Sequence, residues 1–290
     1  MDGTDVDPFD RSHGPPAESS SHEGIYRLAH CYDLAFAYRD VPAECDTLAR
    51  LDARHRRHET PTPAVLELAA GPARHARESA RRGAAAVALD VSPAMCAFAR
   101  EQAASDGIVL DTVCADMRDF ALPRPCTFAM LLLDSASYLL DNDDMLRHLR
   151  CVARHLVDGG VYVLELSHPR DAFGVGRSTT TRWSADDGSG LHVDIEWGRA
   201  GDAFDPVTQI DDVTVTLHWR GPDGDGQRVE CARQRRYTAN EIDALVRAGG
   251  DFEIVEWFGS LVPPRGFDND PASWRMIPVL RKRATCTPAT

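Results

Sequence analysis

A chain of 290 residues, 43% hydrophobic and 27% charged, has the make-up of a globular protein, long for one ordinary domain but within the range of α/β domains. Its formal net charge of −13 argues against a nucleic-acid or anionic-membrane partner, because the basic clusters Arg54-His55-Arg56-Arg57-His58 and Arg233-Gln234-Arg235-Arg236 are too short and isolated to form a docking patch. The eight cysteines show neither a Cys-x-x-Cys pair nor metal-ligand spacing, so no metal site or disulfide framework is expected. With no signal-peptide pattern and no apolar run near about 18 residues, the composition points to a reducing cytoplasm.

In chain order, residues 1–24 read as a disordered tail of Asp, Ser, Gly, Pro and His, and 25–290 as one domain. Residues 25–58 form one or two helices. Val65-Leu-Glu-Leu-Ala-Ala-Gly-Pro-Ala-Arg-His-Ala76 then reads as a strand, a tight turn over Ala69 to Ala73, and a helix from Arg74 to Arg82 that stops at Gly83. Such a turn brings backbone N–H groups close to a bound cofactor, although a loop with one glycine is a weak signal by itself. Residues 84–91 form a second buried strand that ends in Asp90, about 20 residues after the loop, where a carboxylate can accept from both hydroxyls of a ribose. Ser92-Pro93 opens the next helix as N-cap and N1. A third strand, Ile108 to Cys114, leads to Asp116, which can accept from an adenine amino group while Met117 flanks the ring. An acidic residue in or just after each of three successive strands is hard to obtain by chance.

The fourth strand reads as Thr127 to Leu133. The helix after it carries Met145, Leu146, Leu149, Val152, Ala153 and Leu156 on one face and ends at Gly159-Gly160; Val161 to Leu166 make the fifth strand. The period then changes. Residues 191–197 and 213–219 alternate with period two, and Pro222-Asp-Gly224-Asp-Gly226 turns into a third strand over 227–237, an antiparallel excursion spanning 177–237. A helix over 239–248 and strands over 251–259 and 276–283 close the chain.

Taken together, these segments resemble the class I S-adenosylmethionine-dependent methyltransferases, in order from about residue 25 to residue 283. The likeness is carried by Glu67-Leu-Ala-Ala-Gly71-Pro-Ala, Leu89-Asp90-Val-Ser-Pro-Ala-Met95, Ala115-Asp116-Met117-Arg118-Asp119-Phe120, Leu131-Leu-Leu-Asp134-Ser135-Ala-Ser137-Tyr138-Leu139 and Leu156-Val-Asp-Gly159-Gly160-Val-Tyr-Val-Leu. Tyr32-Asp33-Leu34-Ala-Phe36 is similar to the N-terminal helix that many small-molecule members fold over the cofactor. The resemblance implies a Rossmann-like seven-stranded α/β fold with the antiparallel insertion as a lid. It also implies S-adenosylmethionine as cofactor, bound by Glu67, Ala69, Gly71, Asp90, Val91, Met95, Asp116, Met117 and Leu133, with Tyr38 and Arg39 reaching the methionine carboxylate. The family's usual Gly-x-Gly reads Gly71-Pro72-Ala73 here. Alanine fits there if its φ stays negative, with a methyl group facing the ligand.

For chemistry, Asp134 is placed to orient an acceptor amine or hydroxyl or to hold the cofactor's ammonium group. Tyr138, with Ser135 and Ser137, borders the acceptor. His168, just past the fifth strand, is the general-base candidate, and Tyr32 resembles the aromatic that caps the sulfonium or the acceptor. Trp183, Trp197 and Trp219 suggest an apolar acceptor surface, while His192 and His218 belong on the solvent face. The expected reaction is methyl transfer to nitrogen or oxygen of a small molecule. No Asn/Asp-Pro-Pro-Tyr motif follows the fourth strand. Two alternatives stay open: a non-methylating enzyme that releases methylthioadenosine, and a non-catalytic cofactor-binding partner. The excursion serves as lid, as homodimer contact, or both.

Overall fold

The structure, a computed structural model, describes residues 28–59, 62–173 and 180–284. The expected tail, Cys286 and the first residues of the excursion lie outside them. Helices α1 (Ala29–Ala35) and α2 (Val41–His55) come first. The alternating core follows as β1 (Ala64–Leu68), α3 (Arg74–Arg81), β2 (Ala85–Asp90), α4 (Pro93–Ser105), β3 (Asp111–Cys114), β4 (Cys126–Leu131), α5 (Asn142–Arg154) and β5 (Leu156–Leu164). Short β6 (Leu166–Ser167) and α6 (Pro169–Phe173) lead to β7 (Thr181–Asp186), β8 (His192–Trp197), β9 (Phe204–Asp205), β10 (Ile210–Arg220) and β11 (Gly226–Arg235). Then come α7 (Ala239–Gly249), β12 (Phe252–Leu261), β13 (Pro264–Gly266) and β14 (Arg275–Lys282).

The main sheet has the order β13-β12-β14-β5-β4-β1-β2-β3. Strands β1 to β5 pair in parallel, and β14 runs antiparallel to both β5 and β12, as the expected closing hairpin requires. The strand order reverses at β1 and β4, which opens a crevice beyond their carboxyl ends. Both faces of the sheet are covered, so its strands read as near-continuous apolar runs. Leu66, Leu68, Leu131 and Tyr162 pack with Leu149 of α5 and Ile242 of α7, whereas Val65, Met130, Val163 and Val279 pack with Leu48 and Leu51 of α2. Helix starts follow local chemistry: the Ser92 side chain accepts from Met95 N, and Thr238 and Glu241 form a reciprocal capping box on α7.

The excursion is a separate antiparallel sheet, order β11-β10-β8-β7, with β9 beside β10. Its period-two alternation puts Val193, Ile195, Val213, Val215 and Leu217 on one face, which packs against Cys31 and Ala35 of α1. Strand β7 went unread in the sequence because its six residues carry little apolar alternation; Trp183 was its one cue.

Three boundary shifts bear on the architecture. Strand β3 begins at Asp111 rather than Ile108, and β4 stops at Leu131 because Leu133 and Asp134 adopt left-handed φ of 56° and 60°. Helix α5 ends at Arg154, so Leu156 and Gly159-Gly160 belong to β5, which carries a register irregularity against β4 between Cys126 and Phe128. The glycines there are packing requirements and not helix stops. A Cβ on Gly160 would lie 2.9 Å from Val157 O and 3.0 Å from Thr127 O. Gly160→Ala is therefore expected to destabilise the fold by about 1–3 kcal/mol, measured by denaturant unfolding, with Gly107→Ala failing to reproduce the steric part because that position is open.

Candidate active site

The loop from β1 to α3 contains three left-handed residues, Ala69 (φ 46°), Gly71 (50°) and Ala73 (56°). The expectation of a negative φ at Ala73 is thus overturned. So is the ligand-facing methyl: Ala73 is fully buried among Ala70, Ala76, Ala86, Ala88 and Ala99. Ala73 stands at the N-cap of α3 and has no side chain to cap it. Glu67 supplies the missing acceptor from β1, its Oε2 taking Ala76 N–H at 2.6 Å. This buried carboxylate caps the helix and lies near His75.

Asp90 lies beneath the same loop. Its Oδ2 accepts from Gly71 N at 2.7 Å and its Oδ1 from Ser92 N at 2.8 Å. Its carboxylate thus joins the loop to the start of α4. Val91 is partly exposed beside it, whereas the Met95 side chain is fully buried in the core and presents no surface to a ligand, a second correction. Tyr32 of α1 stands over the loop; a Cβ on Gly71 would sit 3.9 Å from its Cε1. Arg74 clasps Asp33 through its side chain and, at 3.0 Å, its backbone carbonyl, which latches α1 over the loop. Burial first, then the nearby Tyr138, Asp90 and Tyr38, raise the Tyr32 pKa well above the usual phenol range, so its hydroxyl stays protonated.

Just past β3, both oxygens of Asp116 accept from Arg118, whose Nη1 also reaches Asp144 at 2.9 Å. An adenine amino group would have to share Asp116 with this guanidinium, a competitor the sequence reading did not weigh. Met117 is fixed from behind. His148 Nδ1 donates to its carbonyl at 2.9 Å, so Nε2 accepts from the Tyr162 hydroxyl at 2.7 Å. Burial brings the His148 pKa down to about 4, which keeps the imidazole neutral.

Arg39 was expected to reach the methionine carboxylate. Instead its Nε donates to both oxygens of Glu44 at 2.8 and 3.0 Å, and its Nη1 and Nη2 donate to Glu165 at 3.1 and 3.0 Å. All three guanidinium nitrogens are engaged inside the protein. Glu165 also accepts from Leu133 N at 3.1 Å and lies 3.0 Å from Arg275 Nε. Burial opposes ionisation of Glu165, but Arg39 and Arg275 outweigh it and hold its pKa at about 2. At the other end, His75 Nε2 donates to Glu44 at 2.7 Å and its Nδ1 lies 3.4 Å from Glu67. Burial works against the imidazolium, yet hydrogen bonds to Glu44 and Glu67 raise its pKa to about 9.

A cavity of about 950 Å³ lies between the carboxyl edge of the main sheet and the second sheet. Tyr32, Tyr38, Leu133, Asp134, Trp183 and Trp197 are in its lining. Asp134 is tied at three points: Oδ1 to Ser167 N (2.8 Å), Oδ2 to Ser167 Oγ (2.6 Å) and Oδ2 to Arg236 Nη1 (3.0 Å). Arg236 also donates from Nε to Asp211 at 3.0 Å, so it clasps the second sheet to β4. Tyr138 ends a 3-10 turn (Ser135–Tyr138) beside Tyr32, outside the cavity lining. Trp219 packs over Gly226 and is not in that lining, while His218 is exposed, as expected.

His168 is not placed to act as a base. It is buried outside the cavity; its Nε2 donates to Asp268 O at 3.0 Å and its Nδ1 accepts from Arg170 N–H at 3.1 Å. Both ring nitrogens are consumed in one neutral tautomer, and the ring packs on Phe267. The general-base expectation is corrected to a structural histidine.

The His75 pKa links the site to stability. Folding raises it from 6.5 to about 9, so the contribution is complete below pH 6.5 and lost as pH rises through 9. Unfolding free energy is expected to fall on the order of 3 kcal/mol between pH 6 and 10 from this group. His75→Gln, followed by denaturant titration across that range, should flatten the decline.

Three kinds of similarity agree with this geometry. Residues 65–160 match the methyltransferase domain family. The chain is 31% identical over 147 residues to a dTDP-4-amino-2,3,4,6-tetradeoxy-D-glucose N,N-dimethyltransferase of Saccharopolyspora spinosa, covering 51% of this chain and 55% of that protein. It is 30% identical over 154 residues to a dTDP-3-amino-3,6-dideoxy-alpha-D-glucopyranose N,N-dimethyltransferase of Streptomyces fradiae, covering 52% and 56%. The chain thus spans about half the length of the curated relatives it matches. In fold it is similar to an S-adenosylmethionine-dependent methyltransferase from Clostridium acetobutylicum (TM-score 0.72, 19% identity, 89% of this chain and 98% of that one). A sugar N-methyltransferase from Streptoalloteichus gives a TM-score of 0.67 at 20% identity, covering 98% of each chain. Residues 65–160 thus match a methyltransferase domain, and the chain shares the fold of S-adenosylmethionine-dependent methyltransferases.

Proposed function

We propose that this protein transfers a methyl group from S-adenosylmethionine to the nitrogen of a small-molecule amine. The observation that carries the reading is the position of Tyr32, which stands over the Gly71 loop and also lines the roofed cavity, so that loop and cavity share one wall. Asp90 stands beside that loop and accepts from Gly71 N, which puts its carboxylate where a ribose would lie. When bound, the cofactor supplies an electrophilic methyl on a sulfonium. The chain's own part is to align the nucleophile in line with it, exclude water and leave the nucleophile's lone pair available. Nitrogen is favoured over oxygen because a neutral amine needs no base, whereas His168 is consumed and Asp134 is held by three donors. The two amino-sugar N,N-dimethyltransferases among its relatives support an amine acceptor. We also propose a cytoplasmic location, which the seven free cysteines among the described residues support.

Calorimetric titration with S-adenosylmethionine, followed by mass analysis after incubation without acceptor, tests this. Binding with the cofactor intact is expected; accumulation of methylthioadenosine would contradict methyl transfer. Asp90→Ala should weaken cofactor binding about ten- to hundredfold, since hydrogen bonds to a charged group are lost and the Gly71 loop is released. An unchanged affinity in that variant would remove Asp90 from the site.

A further inference from the structure

Aromatic rings crowd one part of the cavity. Tyr32, Phe36, Tyr38, Trp183 and Trp197 all belong to its lining. Phe36 is the hub: its ring centroid lies 4.5 Å from Tyr32, 5.5 Å from Trp183 and 6.1 Å from Trp197, with the two indole planes inclined to it by 76° and 88°. Trp183 and Trp197 come from the neighbouring strands β7 and β8, and the Trp183 indole N–H donates to Ala35 O at 2.6 Å, which fixes that ring against α1. Both indoles thus stand steeply to the Phe36 ring, so the three present faces in different directions along the lining.

The charged part of the lining is anionic on balance. Five carboxylates (Asp134, Asp171, Asp202, Asp211, Asp212) face three guanidinium groups, each of which already has partners. Arg236 is shared between Asp134 and Asp211, Arg275 lies 3.0 Å from Glu165 and 4.4 Å over the Trp274 ring, and Arg170 holds backbone carbonyls of residues 269 and 273. The five carboxylates add negative charge to the lining, and three of them already have partners. Asp134 already receives three donors, Asp211 receives Arg236, and Asp202 receives the Thr214 N–H and hydroxyl. A primary ammonium brings three N–H groups that need acceptors. A methylated ammonium brings fewer, and spreads its charge over methyl groups that suit aromatic faces.

We propose that Phe36, Trp183 and Trp197 form a binding box for an N-methylated ammonium, so that the once-methylated acceptor is retained and these residues select alkylated amines. This rests on the amine-methylation reading above and adds the class of nitrogen that the site holds best. A mere apolar packing role for the same rings makes a different prediction, since it gives no preference for charge.

The test uses S-adenosylhomocysteine to fill the cofactor site without a competing sulfonium, its binding being measured first by calorimetry. Choline and its neutral isostere 3,3-dimethylbutan-1-ol are then titrated separately into the complex. Choline is expected to bind at least about tenfold more tightly. Trp197→Leu should reduce that preference to less than about threefold, Trp197→Phe should restore most of it, and neither should change S-adenosylhomocysteine affinity. Equal binding of choline and its isostere, no binding of choline, or a preference that survives in Trp197→Leu overturns the box. If a variant fails to fold, the choline-to-isostere ratio on the unaltered protein still decides. Failure of S-adenosylhomocysteine to bind overturns the methyltransferase reading itself, and the box with it.

Discussion

Arg39 is the constraint around which the rest of the molecule is arranged. It sits between α1 and α2, is buried, and is held by Glu44 on one side and Glu165 on the other. From Glu44 the chain of charges continues through His75 to Glu67 and the start of α3; from Glu165 it continues to Arg275 and to the Leu133 amide. With His75 protonated, three cations meet three anions, so buried charge is balanced without solvent. Removing one member leaves its partners uncompensated, at a cost of about 3–5 kcal/mol in comparable buried pairs. The network therefore fixes the relative positions of β1, α2, α3, β5 and β14 at the edge where ligands of open α/β sheets bind.

Helix α1 joins this frame to the second sheet. One face of it packs on the apolar face of β8 and β10, and its Tyr32 covers the Gly71 loop. The Asp33–Arg74 clasp holds α1 from the core side, and the Asp134–Arg236–Asp211 clasp holds the second sheet from the cavity side. Seven residues of helix thus connect the Gly71 loop, the cavity and the second sheet. Such a helix, short and stabilised chiefly by packing, gains its order from these contacts rather than from propensity.

The alternation of strands and helices, the Ser92-Pro93 start, and the period-two runs over 191–197 and 213–219 were legible in sequence because each depends on neighbours close in the chain. So was the position of Asp90 beside the loop. The partners of Arg39 were not: Glu165 is 126 positions away, and nothing in the local pattern distinguishes a buried arginine from one that reaches a ligand. His168 failed for a related reason, since its two partners are backbone groups and one of them is 100 positions distant. Ala73 shows a third limit. A left-handed alanine breaks the usual preference for glycine and is tolerated here because the methyl is buried among other alanines while Glu67 supplies the helix cap it lacks.

The central claim is that the Asp90–Gly71 loop and the roofed cavity are two halves of one site that meet at Tyr32. A crystal structure of the complex with S-adenosylhomocysteine tests it most directly. The account predicts ribose hydroxyls on the Asp90 carboxylate and the sulfur beside Tyr32, directed into the cavity. A ligand bound away from Asp90, or with its sulfur turned from the cavity, would contradict it.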